Sequence, residues 1–183
     1  GVFCSVISGD DMEMERDGFG DARTHRSDLI SPEEIGKTAG ERAVKKLISR
    51  KPKTGNFPVI FDERISNSLI GHLLSAINGR AIVQGASWAS ELLGKPIFPK
   101  GTSLVEDPRR VRSYGSRPFD GEGLPTLKRT IIKDGHLNEW TLDLATARQL
   151  GEKSTANASR GVSSPPTPST SNVILNKGER SFN

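Results

Sequence analysis

Apolar positions crowd the start of the chain and then alternate with polar ones, Val2-Phe3-Cys4-Ser5-Val6-Ile7-Ser8, which predicts a strand. Gly9-Asp10-Asp11 predicts a turn, and Met12 to Phe19 a returning, more polar strand. After residue 30 the period lengthens to that of a helix. Ser31-Pro32-Glu33-Glu34 is a helix start: Ser31 can cap the first turn, Pro32 suits the first helical position, and Glu34 completes a capping box. The helix is expected to run to about Ser49, with Ile35, Ala39, Ala43, Val44 and Leu47 on the packed side and Glu41, Arg42, Lys45 and Lys46 opposite.

Lys51 to Asn56 is a polar linker containing Pro and Gly, and the apolar run Phe57-Pro58-Val59-Ile60-Phe61 predicts a strand after it. A domain boundary is placed here, giving segments 1–50, 51–56 and 57–183. From Glu63 to Ile77 the residues Ile65, Leu69, Ile70, Leu73, Leu74 and Ile77 recur at helical spacing, so Ile70 is expected in the core, and Asn78-Gly79 supplies a stop. A second helical stretch is expected from Ala86 to Leu93, ending at Gly94, and a short strand from Ser103 to Glu106 that Asp107-Pro108 ends.

The strongest local signal is Asp134-Gly135, between Thr130-Ile131-Ile132-Lys133 and His136 to Leu142. Asp-Gly suits a two-residue type I′ turn because both central residues need positive φ. That register sets Ile132 opposite Leu137, with Ile131 and Trp140 on the other face, so the hairpin is expected to be covered on both sides. Gly161 to Ser171, rich in Ser, Pro and Thr, reads either as a flexible linker or as an ordered loop leading into a further strand. The fold class is therefore α+β, with mixed helices and antiparallel sheet.

At 183 residues there is room for one large domain or two small ones. Composition narrows the function more than the fold. A net charge of +4 comes mostly from Lys and Arg standing beside Asp or Glu, except at Arg109-Arg110-Val111-Arg112 and from Lys45-Lys46 to Lys53. With only 5% aromatic residues the chain lacks the basic stripe interleaved with aromatics expected of a nucleic-acid binder, which argues against direct nucleic-acid binding. A single cysteine excludes an internal disulfide and fits a reducing compartment; Cys4, in an apolar run, reads as a small buried hydrophobe. No run reaches the ~20 apolar residues of a membrane span.

Two segments carry candidate chemistry. In Ser116-Arg117-Pro118-Phe119-Asp120-Gly121-Glu122-Gly123, the carboxylates Asp120 and Glu122 can be read as a catalytic pair or cation site, or as a tight turn in which Asp caps its own backbone. Ser154-Thr155-Ala156-Asn157 contains a serine with no general base placed by sequence, so Asn157 reads as part of a polar loop that bonds backbone, including that of a bound peptide.

The acidic turn, the Asp134-Gly135 hairpin, Ala147-Arg148-Gln149-Leu150-Gly151 and Ser154 to Gly161 follow one another in an order that resembles the PmbA/TldD family. That family is described as modulators of DNA gyrase and as subunits of a metalloprotease. The resemblance extends from the strand around Cys4 to Asn172-Val173-Ile174-Leu175. It implies the end of a central domain followed by the first part of a larger C-terminal domain, and hence an internal fragment with some core-facing surface uncovered.

In the zinc-bearing branch, similar to TldD, the helix after the Phe57 to Phe61 segment carries His-Glu-x-x-x-His, whose histidines bind zinc while the glutamate is the general base. Aligned without gaps at Gly79 and Gly85-Ala86-Ser87, this chain has Ile70, Gly71 and Ser75 at those places. Ile70 has no lone pair, Gly71 no side chain, and a neutral serine hydroxyl is a poor zinc ligand. His72 is the only imidazole on the helix and, alone, reads as a packing residue. The resemblance therefore implies the PmbA/TldE branch: a cytoplasmic subunit with no metal or other cofactor in this chain, zinc being expected only in a TldD-like partner, and with unfolded peptides as substrates. A regulator binding DNA gyrase directly, and a zinc-independent hydrolase built on Asp120 and Glu122, are the alternatives. Because the acidic turn occurs in both branches, the resemblance assigns it a scaffold role near the cleft.

Overall fold

The opening strand β1 (Val2–Ser8) pairs antiparallel with β2 (Glu15–Asp21), setting Cys4 beside Phe19 and Ser8 beside Glu15. A computed structural model describes residues 1–10 and 13–178. Asp11 of the expected turn and Met12, the expected start of the return strand, lie outside the described residues. Along β1 the half-buried Cys4, Val6 and Ser8 alternate with the exposed Phe3 and Ile7, as a two-stranded sheet with one covered face requires. On the open face Phe3 lies across two glycines of β2: a Cβ built at Gly18 or Gly20 would stand 2.7 Å from its ring.

Helix α1 (Pro32–Lys46) starts where expected, with Ser31 Oγ accepting the Glu34 N–H at 3.2 Å. Ile35, Ala39 and Ala43 are buried, one residue per turn on a single stripe. Val44 and Leu47, expected on the packed side, are 56% and 40% exposed. A two-stranded sheet is too narrow to cover a wider stripe. Arg42 stacks 4.5 Å over the Phe19 ring. The same unit, Gly1–Val59, includes Arg112–Tyr114 from later in the chain: Arg112 Nη1 lies 2.8 Å from Asp28 Oδ1, and the Tyr114 hydroxyl donates to the Arg23 carbonyl.

No strand forms at Phe57 to Phe61, contrary to the sequence expectation. Residues 51–62 are neither helix nor strand, and Phe57, Val59 and Ile60 are exposed. Apolar content alone does not make a strand, and no described strand pairs with this segment.

The second unit spans Ile60–Val111 and Gly115–Asn183. Helix α2 (Glu63–Ala76), capped by Asp62, buries Leu73 and Ala76, with Ile77 just beyond its end. Its N-terminal half is less covered: Ile65 and Leu69 are 55% and 49% exposed. Ile77 ends this helix and Asn78 caps the short α3 (Gly79–Val83). The expected helix from Ala86 to Gly94 is instead a series of turns. Ser87 Oγ donates to the Ala76 carbonyl and accepts from the Ala89 N–H, and Gly85 and Gly94 have φ of +64° and +77°, so local bonding and left-handed backbone replace the helix.

Strands β3 (Leu104–Glu106), β4 (Arg129–Lys133) and β5 (His136–Leu137) follow, and β8 (Val173–Leu175) completes an antiparallel sheet in the order β5-β4-β3-β8. The hairpin turn has φ of 48° at Asp134 and 82° at Gly135, and sets Ile132 opposite Leu137 as the sequence predicts. A side chain at Gly135 would also collide with the Phe98 carbonyl. The partner strand stops at Leu137 rather than Leu142, because the chain after Asn138 turns to bond elsewhere, with the Thr141 N–H on the Ile77 carbonyl. Both faces of the hairpin are covered: Ile131, Ile132 and Leu137 are fully buried with Leu73, Ile77, Ala89 and Leu104. Each buried Ile or Leu among them contributes about 1.5–3 kcal/mol on burial.

Helix α4 (Leu144–Leu150) opens on Asp143 with a reciprocal capping box to Thr146 and ends on Gly151 at φ 71°. The Ser- and Pro-rich segment is an ordered loop, held where β6 (Ala158–Ser159) pairs with β7 (Thr167–Pro168). Mixed helices and antiparallel sheets make the fold α+β, as expected. Among the described residues no helix is long and apolar enough to cross a membrane.

Candidate functional site

Ile70, Gly71 and Ser75, the positions that the family resemblance sets against the zinc motif, stand on α2. Ile70, expected in the core, is half-buried and packs against it, whereas Gly71 and Ser75 are exposed. A Cβ at Gly71 would have no atom within 4 Å. His72 and His25 are exposed, and His136 holds its Nδ1 3.0 Å from the Asp134 carbonyl. Among the described residues no three His, Cys, Asp or Glu side chains gather as a metal site would require.

The acidic turn is built differently from an open carboxylate pair. Asp120, 4% exposed, accepts the N–H groups of Glu122 and Leu124 on Oδ1, both at 2.9 Å, and that of Ala158 on Oδ2 at 3.0 Å. Its own N–H donates to the Leu124 carbonyl, and the Gly121 N–H to the Ala158 carbonyl. Glu122 Oε2 accepts the first N–H of α4, from Leu144, at 2.9 Å. One carboxylate thus closes its own turn and pins it to β6. The other satisfies a helix N-terminus, where orphan donors and the helix dipole favour an anion.

Asn157, beside Ala158, is 3% exposed. Its Nδ2 donates to Glu106 Oε1 at 2.9 Å and to the Ser169 carbonyl at 3.2 Å. This leads to residues that sequence reasoning did not single out. Glu106, 1% exposed, also accepts the Ser171 N–H and forms an ion pair with Arg129, whose Nε lies 2.7 Å from Oε2. Arg129 in turn donates to the Trp140 carbonyl through Nη1 and to Thr141 Oγ1 through Nη2, and its Nη1 lies 3.5 Å from Glu139. Glu106 shares its strand face with Leu104, and Arg129 with Ile131, so a charge at an inward position on each strand was the available signal.

The structure thus ties Glu122 to the start of α4 and brings Asp120, through Ala158, next to a polar layer of Asn157, Glu106 and Arg129. Ile70, Gly71 and Ser75 take no hydrogen-bonded part in it. Every carboxylate in this layer is engaged by N–H donors, which suits holding loops in place.

Comparison with known proteins gives the relationship. The PmbA/TldA metallopeptidase C-terminal domain matches residues 54–183. Metalloprotease PmbA of Escherichia coli O157:H7 is 39% identical over 153 residues, covering 84% of this chain and 34% of that protein. A PmbA metalloprotease homolog of Buchnera aphidicola from Acyrthosiphon pisum is 37% identical over 155 residues, covering 85% of this chain and 35% of that protein. The chain thus spans about a third of the length of these relatives. A solved structure of a candidate modulator of a DNA gyrase from Thermotoga maritima superposes with a TM-score of 0.83 at 29% identity, covering 98% of this chain and 40% of that one. With a family domain matched over most of its length and a shared fold, the chain belongs to the PmbA/TldD metallopeptidase family.

Proposed function

We propose that this chain is part of a PmbA/TldE-like subunit of a heteromeric TldD/TldE metalloprotease acting on unfolded peptides in the cytoplasm. The observation that carries the reading is the helix α2 surface: Ile70, Gly71 and Ser75 supply neither ligands nor a general base, so these residues do not fit a zinc ion. The similarity to proteins named metalloprotease PmbA supports the branch. In this reading zinc belongs to the TldD-like partner, and this subunit encloses the reaction chamber and supports the partner's site. The hydrogen-bonded turn at Asp120 and Glu122 supports a scaffold role over an independent hydrolase, because both carboxylates are already bound to backbone N–H groups.

Full-length protein alone is expected to leave an unstructured peptide intact. Mixed with its TldD-like partner it should give chelator-sensitive cleavage that neither subunit shows alone, abolished when the partner's motif glutamate is replaced. Cleavage by the isolated subunit that survives exhaustive chelation would overturn the reading in favour of Asp120 and Glu122. The similarity to a candidate gyrase modulator favours a second reading, direct binding to DNA gyrase. Capture of gyrase by the purified protein without any TldD-like subunit would support it.

A further inference from the structure

We infer that the polar layer around Asn157 holds a buried water molecule, bound by Asn157 Oδ1, Arg117 Nε and Ser171 Oγ. All three atoms are inaccessible to solvent, and none has a hydrogen-bond partner among the described residues. They belong to residues tied to the same two acceptors. Asn157 Nδ2 and Arg117 Nη2 both donate to the Ser169 carbonyl, at 3.2 and 3.0 Å, while Asn157 Nδ2 and the Ser171 N–H both donate to Glu106 Oε1.

The orientation of Asn157 is fixed by chemistry. Turning its amide over would set the carbonyl oxygen against the Glu106 carboxylate and the Ser169 carbonyl, two acceptors, so Nδ2 must face them. Oδ1 is therefore an acceptor in need of a donor, Arg117 Nε is a donor in need of an acceptor, and the Ser171 hydroxyl serves as either. A ligand that meets all three must both donate and accept. An anion such as chloride cannot donate to Asn157, and a metal cation would be repelled by the Arg117 guanidinium. The backbone of a bound peptide has the right groups but no access to enclosed atoms. Water has both functions, no charge, and the size that buried polar sites accept, commonly with about three hydrogen bonds. Bound there, it would fasten the Ser169–Ser171 segment and the Arg117 loop to the Glu106–Arg129 pair.

High-resolution diffraction from the intact protein, together with water-to-amide cross-relaxation by NMR, tests this. The expected result is an ordered water within hydrogen-bond distance of Asn157 Oδ1 and of Arg117 Nε or Ser171 Oγ, with long-lived water cross-peaks at the Asn157 or Ser171 amide. Asn157→Leu should lose the cross-peak, while Ser163→Ala, on the exposed loop, should keep it. A clear map in which protein groups contact these three atoms and no solvent density lies between them would overturn the proposal. So would cross-peaks that persist unchanged in Asn157→Leu. If Asn157→Leu does not fold, the wild-type map alone decides.

Discussion

Glu106 on β3 and Arg129 on β4 stand directly opposite each other in the antiparallel register, and their side chains close to 2.7 Å inside the protein. Around this pair are arranged the Asn157 amide, the Ser171 N–H, Thr141 and the Trp140 carbonyl. The charges are satisfied only as a set. Arg129→Met leaves Glu106 buried without its cation and should destabilise by about 3–5 kcal/mol, as for other broken buried pairs. Urea denaturation of the intact protein, followed by amide exchange in β4, measures it. A loss below about 1 kcal/mol would mean that the pair is no more important than a surface one.

Gly79 and Gly71 make an internal control for space. A Cβ at Gly79 would fall 2.6 Å from Leu142 Cδ2 and 2.7 Å from Thr146 Oγ1, where α3 meets α4. Gly79→Ala is expected to cost about 1–3 kcal/mol through overpacking. Gly71 lies in an exposed part of α2 with nothing within 4 Å of its Cβ position, so Gly71→Ala should stabilise by about 0.5–1 kcal/mol through helix propensity. Thermal and urea unfolding of both variants should move in opposite directions.

Ile70→Ala should cost about 1–2 kcal/mol, less than the ~2–5 kcal/mol of a fully enclosed isoleucine, because the side chain is half-buried against the core. An effect within about 0.5 kcal/mol would place Ile70 with surface residues. The measurement is equilibrium unfolding of the intact protein.

Elemental analysis of purified, tag-free protein is expected to find no stoichiometric zinc in this subunit, given the side chains at 70, 71 and 75. About one tightly bound zinc per chain, lost in His72→Ala, would contradict this. Installing His, Glu and His at those positions should not by itself create a peptidase, since a further ligand and the groups that orient ligands are also required.

Asp21 should give the first unit a pH-dependent contribution. The Ile30 N–H bonded to its carboxylate, and secondarily Arg23, hold its pKa below the ordinary 3.8. The folded pKa lies below the unfolded one, so the contribution is fully present above about pH 4 and is lost as pH falls through the folded value. Amide exchange at Ile30 should accelerate through that range, and Asp21→Asn should flatten the dependence.

The local elements that the sequence determined are those whose cause is local. Ser31-Pro32-Glu33-Glu34 starts α1 because the cap and the fixed φ act within four residues, and Asp134-Gly135 closes its hairpin because positive φ is a property of those two residues. The helical period of α2 was legible for the same reason. What faces what was not. The apolar run at Phe57 to Phe61 forms no strand because a ladder needs a partner, and Ile65 and Leu69 remain exposed because periodicity shows which residues share a face but not how far a core reaches along it. Asp120 and Glu122 were visible as candidates, yet their partners, Ala158 and Leu144, lie 38 and 22 residues away. That Glu106 pairs with Arg129 was decided by the tertiary structure, since a buried charge is tolerable only where the folded chain delivers its counter-charge and hydrogen bonds together.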